Sequence, residues 1–278
     1  MPLLKDFSPV GIGGEAKFLY RVRDLPSLEQ VLENSGKEGR EIKIFSSSTS
    51  ILFSDRLFED TFIKIEIDYI QSEGDTLRVG AGLKIPFLLK EAQKRGWSGL
   101  EFLAGIPGSI GGAVVNNAST HWGKMEDRVI SIKVLDRKGR ISEIPRRDLN
   151  FGHRSCRFEG EVITEVRLKI ERKEPPDIAE KIGEIMVYRK NTQPWDKRTL
   201  GCVFKNPPGY KPAGFLIDRT GLKGMRRGRV SVSRIHANFF EVEPGACFQD
   251  FWNLILEVRE RVKEKFSVEL ETQIKIYT

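Results

Sequence analysis

A chain of 278 residues can bury a substantial core, as one long domain or two shorter ones. At 39% hydrophobic and 31% charged residues it has an ordinary globular composition, which excludes low-complexity, collagenous and disulfide-scaffold classes. The formal net charge of +7 suits an anionic partner, whether nucleic acid or nucleotide, and is equally compatible with no specific partner.

The opening MPLLKDFSPVGIGG has no apolar run long enough for a signal peptide, and no later segment approaches a membrane span. From Asp24 to Asn34, Leu25, Leu28, Val31 and Leu32 share one helical face, with Asp24 as N-cap and Pro26 in the first turn. IKIF (42–45), FIKIEI (62–67) and TLRVG (76–80) read as strands, and 86–95 as a helix opening on Pro86. Residues 129–144 have the form of a hairpin around Arg137-Lys138-Gly139, and 161–170 is a further strand. An amphipathic helix follows Pro175-Pro176 and ends near Asn191. The last hundred residues start again with GCVFKNPPG, a short helix, and the strands RVSVS and HANFFEV. A long helix over 247–265 buries Phe251, Leu254, Ile255, Val258 and Val262, and the strict alternation of VELETQIKI predicts a closing strand over 268–276. Strands and helices mix without the regular alternation of a doubly wound sheet, so the class is α+β. The polar run RKNTQPWDKR (189–198) is the best boundary, and ligand sites favour such junctions.

Three cysteines (Cys156, Cys202, Cys247) lie far apart without metal-ligand spacing, so no metal is expected and a reducing cytoplasm fits. The unusual segment is EFLAGIPGSIGGAVVNNAS (101–119), with Gly105, Gly108, Gly111 and Gly112 within eight positions. It contains neither GxGxxG nor a P-loop, so neither of those phosphate-binding mechanisms applies. Bare backbone amides in a turn still form an anion-binding nest, to which Ser109 adds a hydroxyl donor. Gly11 with Gly13-Gly14, and Gly80 with Gly82, taken singly read as tight turns or bulges. The arginines of MRRGRVSVSR (225–234) read equally as a solvated face or a nucleotide-phosphate contact.

GLEFLAGIPGSIGGAVVNNAS resembles the Gly-rich signature of the UDP-N-acetylenolpyruvoylglucosamine reductase (MurB) family. SPVGIGGEA (8–16), FGHRSCRF (151–158), GCVFKNP (201–207), AGFLIDRTGLKG (213–224) and HANF (236–239) follow in the family's order, and without the long insertion before GCVFKNP that marks the longer subtype the chain resembles the shorter one. The resemblance implies a two-subdomain FAD-binding module of the vanillyl-alcohol-oxidase type, 1–67 and 68–190, and a C-terminal α+β substrate domain, 191–278. It also implies FAD as cofactor, NADPH as co-substrate, and hydride delivery to an enolpyruvyl double bond, yielding UDP-N-acetylmuramate for peptidoglycan, and so for cell-wall biogenesis, cell shape and division.

By position, the resemblance makes Arg154 the residue that stabilises the enolate, Cys202 the proton donor in place of the family serine, and Gln273 the occupant of the catalytic glutamate's place. A thiol, with an ordinary pKa of about 8.5, is a better acid than an alcohol, so the exchange at Cys202 is chemically tolerable. Lys205 and Asn206 would face the substrate diphosphate. FAD contacts fall on Ser46, Ser47, Ser48, Thr49 and Ser50, on Gly105, Ile106, Pro107, Gly108, Ser109, Gly111 and Gly112, and on Asn117. The family turn GxGSN is replaced by SSSTS (46–50), so weaker flavin retention is expected, with glycines at 46 and 48 restoring it. His153 and Ser119 replace a tyrosine and a glycine of the family pattern. Two other readings remain at this level. One is a paralogue with weakened or lost turnover that binds nucleotide or flavin, and the other is a nucleic-acid-binding module resting on charge alone. The preferred partner is a UDP-sugar, with no nucleic acid or membrane, and a monomer in the cytoplasm.

Overall fold

The computed structural model describes residues 1–157 and 161–278; Phe158, the last residue of the FGHRSCRF motif, lies outside the described residues. The chain forms two compact units: a central unit of 18–47 and 59–188, and a terminal unit of 1–17, 48–58 and 189–278. Each has its own hydrophobic core.

In the central unit a three-stranded sheet is ordered Ala16–Val22, Phe58–Ile65, Ile42–Phe45, and its last two strands run parallel. Helix α1 (Leu25–Lys37) lies between the first strand and Ile42–Phe45 in sequence. Asp24 caps it by accepting from the Ser27 amide at 2.8 Å, as the sequence predicts. A five-stranded antiparallel sheet is ordered Ile141–Pro145, Val129–Leu135, Val162–Lys169, Thr76–Gly80, Ile70–Glu73. Leu77, Val79, Ile132, Val134, Val166 and Leu168 bury one side of it with Leu88 and Ala92 of helix α2 (Ile85–Arg95) and with helix α3 (Ile110–Val115). Elsewhere on the sheet Glu165 accepts from Arg78 at 2.9 Å and pairs with Lys133 at 3.2 Å, so this buried carboxylate is compensated. Helix α4 (Pro175–Thr192) buries only Ile178 and Ile185.

In the terminal unit, helix α5 (Ala213–Arg219) precedes an antiparallel sheet of Arg226–Arg227, Val230–Val232 and Phe240–Val242. Helix α6 (Phe248–Phe266) buries the five residues of its apolar stripe completely, with Phe251 5.4 Å from the Phe240 ring. The N-terminal IGG motif is explained by packing: a Cβ at Gly14 would fall 2.0 Å from the Arg56 carbonyl oxygen, so only bare backbone fits against 55–56.

The expected closing strand is much shorter than its alternation suggests. Only Lys275–Tyr277 forms a ladder, and it is parallel to Ile51–Phe53. Val268, Leu270 and Ile274 are nevertheless buried, so the period of 2 reports which side faces the core rather than the extent of pairing. Around Thr272 the backbone pairs instead with Phe204 as an isolated bridge. The glycine-rich segment also departs from a pure turn, because Gly111 and Gly112 lie inside α3.

Candidate active site

The glycine-rich segment is built by backbone-to-backbone contact. Gly111 donates to the Ala81 carbonyl at 2.8 Å and Ile110 to Leu83 at 2.9 Å, while the Gly108 carbonyl accepts from Ile85 at 3.0 Å. A Cβ on Gly111 would lie 2.9 Å from both Cβ and O of Ala81, which excludes any larger residue from that crossing. Gly105 and Gly108 have φ of 73° and 133°, in the left-handed range that favours glycine. Ser109 caps α3 by accepting from the Gly112 amide at 3.3 Å. These bonds use the amides of 110–112. The amides of Gly105, Gly108 and Ser109 meet no protein acceptor among the described residues and remain able to receive an anion.

Asn117 ends this segment and is itself left-handed at φ 37°, a conformation asparagine tolerates. Its donors are all spent inside the protein: Nδ2 bonds the Glu126 carboxylate at 3.2 Å and the Gly152 carbonyl at 3.0 Å, and its amide bonds Val114 at 2.9 Å. Its side chain therefore has no donor left for a cofactor. Arg154 sits in the two-residue turn between Asn150–Gly152 and Ser155–Arg157, with φ 56°. It is half-buried and makes no hydrogen bond within the described residues, so its guanidinium is available to an anion. On the same hairpin, burial pushes the Cys156 thiol up to about 11 against the opposing pull of Arg146, so it is an inert thiol rather than a nucleophile.

The SSSTS turn spans the boundary, since the chain leaves the central unit after Ser47 and enters the terminal unit at Ser48. Ser46 donates its hydroxyl to the Ile65 carbonyl at 2.9 Å, and Ser47 and Thr49 are half-buried. Ser48 is the informative member. It is 4% exposed and left-handed at φ 52°, and its hydroxyl is buried without a protein partner. An orphaned hydroxyl on a strained backbone is costly unless a ligand satisfies it. Ser50 supplies its carbonyl to the Lys275 amide at 2.9 Å.

Cys202, Lys205, Asn206 and Gln273 all belong to the terminal unit. The stretch 202–205 is held on one side by Asn238, which exchanges two side-chain bonds with the Phe204 backbone at 2.9 and 2.8 Å. On its other side, Gln273 donates its amide to Val203 at 2.7 Å and Lys205 donates its own to Glu271 at 2.9 Å. Asn238 is 2% exposed and was visible in the sequence only as a letter of HANF; its supporting role has no local signature. Cys202 is half-buried and bridges Phe239 through the backbone. The Gln273 carboxamide makes no hydrogen bond among the described residues, whereas the exposed Glu271 is drawn to the Lys205 ammonium at 2.5 Å. That pair leaves Glu271 engaged with Lys205 rather than free to replace the missing glutamate. Asn206 accepts from the Ala213 amide at 3.0 Å at the start of α5, leaving its NH2 group available. Burial pushes the His236 imidazole below its ordinary pKa, and its Nδ1 accepts from the Asn238 amide at 3.2 Å.

The arginines of 225–234 are mostly committed. Arg226 pairs with Glu243 at 2.6 Å, Arg227 with Glu257, and Arg229 donates to the Pro244 carbonyl at 3.1 Å. No cluster of metal-ligating side chains occurs among the described residues, and no helix there is long and apolar enough to cross a membrane.

Free amides in the glycine-rich turn suit an anionic ligand. Residues 16–144 match the FAD binding domain model, so the class is an FAD-dependent α+β protein. Residues 193–277 match the C-terminal domain of UDP-N-acetylenolpyruvoylglucosamine reductase. The chain is 35% identical to the UDP-N-acetylenolpyruvoylglucosamine reductase of Protochlamydia amoebophila, covering 98% of this chain and 91% of that protein. It is 36% identical to that of Moorella thermoacetica, covering 96% and 88% respectively. A solved structure of the reductase from Thermus caldophilus superposes with a TM-score of 0.86 at 34% identity, covering 100% of this chain and 98% of that one. The chain belongs to the UDP-N-acetylenolpyruvoylglucosamine reductase family.

Proposed function

We propose that this chain is a UDP-N-acetylmuramate dehydrogenase, reducing UDP-N-acetylglucosamine enolpyruvate with FAD as cofactor and NADPH as co-substrate. The observation that carries this reading is family kinship over nearly the whole chain, at 35% identity across 98% of it. When bound, FAD relays a hydride from NADPH to the enolpyruvyl double bond.

The residues of the chain bind, orient and protonate. The free amides of Gly105, Gly108 and Ser109 would bind flavin phosphate, with Ile106, Pro107, Gly111 and Gly112 shaping their turn, and the SSSTS turn, Ser46, Ser47, Ser48, Thr49 and Ser50, would supply its own cofactor contact through the unpartnered Ser48 hydroxyl. Arg154 stabilises the substrate enolate with a permanently charged, planar donor. Cys202 supplies the proton that completes reduction. Gln273, in the place of the family glutamate, offers a neutral hydrogen bond but exchanges no proton. Lys205 and Asn206 face the substrate diphosphate, and the Lys205–Glu271 pair must yield when that anion arrives.

Residues 1–67 and 68–190 serve as two FAD-binding subdomains and 191–278 as the substrate domain; the separate three- and five-stranded sheets favour the cut near residue 67, whereas 1–17 and 48–58 group with 189–278 in one compact unit. The enzyme acts as a cytoplasmic monomer on a UDP-sugar, without nucleic acid or membrane. The pairing of Arg226 and Arg227 with glutamates supports the exclusion of nucleic acid. The test is product analysis: with NADPH and FAD, mass spectrometry should show the UDP-sugar gaining two hydrogens. Unchanged substrate at enzyme-equivalent concentration refutes the assignment.

A further inference from the structure

Among the described residues, four non-glycine residues have left-handed backbones, and one of them, Asn117, hydrogen-bonds Gly152, two residues before another, Arg154. Asn117 Nδ2 grips the carbonyl of Gly152, the strand residue immediately before the two-residue turn that carries Arg154. The other Nδ2 hydrogen goes to the Glu126 carboxylate, and Asn117 Oδ1 accepts the Glu126 amide at 3.1 Å. Glu126 in turn accepts Arg146 Nε on its carbonyl at 2.9 Å, and the Arg146 guanidinium lies 4.7 Å above the Phe151 ring of the same hairpin. The hairpin is thus held at two neighbouring residues, Phe151 and Gly152, by one network centred on Asn117 and Glu126. Asn117 is 4% exposed, so its carboxamide is shielded from water although Gly152 itself is exposed.

We propose that Asn117 is a positioning residue for Arg154, fixing through Gly152 the turn that aims the guanidinium. Asparagine suits the place for two reasons. It tolerates the left-handed backbone, and its carboxamide is the one small side chain that donates to two oxygens while accepting from an amide. Aspartate would set a carboxylate oxygen against both the Gly152 carbonyl and the Glu126 carboxylate. The role rests on the reading of Arg154 given above, and it concerns the substrate step alone. A displacement of about 1 Å at a catalytic group can cost roughly 100-fold, so loosening this turn should be visible in rate.

The test uses the flavin-loaded protein and separates flavin reduction by NADPH from flavin reoxidation by substrate in stopped flow. Asn117→Gly keeps the left-handed backbone without strain and removes only the carboxamide. It should slow reoxidation about 10- to 100-fold while flavin reduction and FAD content stay within about 2-fold. Asn117→Asp should behave the same way. In an Arg154→Ala background, Asn117→Gly should add little, because the two act through one interaction. Amide exchange of the 151–156 segment in the flavin-free protein should quicken in Asn117→Gly. Full additivity with Arg154→Ala, equal loss in both half-reactions, or loss of flavin in both Asn117 variants overturns the proposal. If Arg154→Ala itself leaves reoxidation unchanged, the reading of Arg154 fails first and the proposal falls with it.

Discussion

Ser48→Gly changes folding and cofactor binding in opposite directions, and the structure sets the scale of each. The wild-type residue holds φ 52° and buries a hydroxyl without a protein partner. A left-handed L-residue costs about 1–2 kcal/mol, and an unsatisfied buried hydroxyl about 1–3 kcal/mol. Against this, glycine's larger unfolded entropy costs about 0.5–1 kcal/mol. The net is a flavin-free protein more stable by about 1–4.5 kcal/mol, which at this chain length is a rise in Tm of roughly 2–18 °C. With FAD the sign turns. If the hydroxyl donates to a flavin phosphate, its loss removes a hydrogen bond to a charged group worth about 1.5–3 kcal/mol, or roughly 10- to 100-fold in Kd. This reverses the sequence-level expectation that glycine at this position strengthens binding, because that expectation had no view of the orphaned oxygen. Thermal melting of flavin-free protein and fluorescence titration with FAD measure both quantities. Unchanged Tm together with equal or tighter FAD binding in Ser48→Gly refutes the reasoning.

Cys202→Ser should retain measurable turnover, whereas Cys202→Ala should slow reoxidation by substrate about 100-fold with flavin reduction intact; equal full rates in both variants would leave Cys202 a packing residue. Gln273→Glu should raise the rate of substrate reduction without altering flavin reduction, while Glu271→Gln, removing only an exposed partner of Lys205, should change turnover by less than about 3-fold. His236 gives a pH signature. Its folded pKa is depressed by burial, so its stability contribution is present above its ordinary value of 6.5 and fades as pH falls below it; chemical denaturation from pH 7.5 to 5 should show a decline that His236→Gln flattens.

Much of the architecture was legible where a signal is local. The Asp24 cap, the stripe of α6 and the hairpin strands Val129–Leu135 and Ile141–Pro145 each depend on residues close in sequence, and each formed as read. The terminal unit's assembly was not legible. Ile51–Phe53 pairs with Lys275–Tyr277 across more than two hundred residues, and nothing in either tripeptide names its partner. The same holds at the site. The glycine cluster was conspicuous in the sequence, but which amides stay free depends on residues 81–83, which take those of Ile110 and Gly111, and on Ser109, which takes that of Gly112. Asn117 stands beside the glycines in the sequence, and the family resemblance places it at the cofactor. Its carboxamide instead reaches residues 126 and 152, contacts set by how the chain returns rather than by composition.

The central claim is an NADPH-to-flavin-to-enolpyruvyl relay, and anaerobic stopped-flow spectroscopy of the FAD-loaded protein tests it most directly. NADPH should bleach the flavin's visible absorbance, and UDP-N-acetylglucosamine enolpyruvate should then restore it, slowly in wild type and faster in Gln273→Glu. A flavin that NADPH reduces but substrate leaves reduced, in wild type and in Gln273→Glu alike, contradicts the account and leaves a protein that binds flavin without turning over.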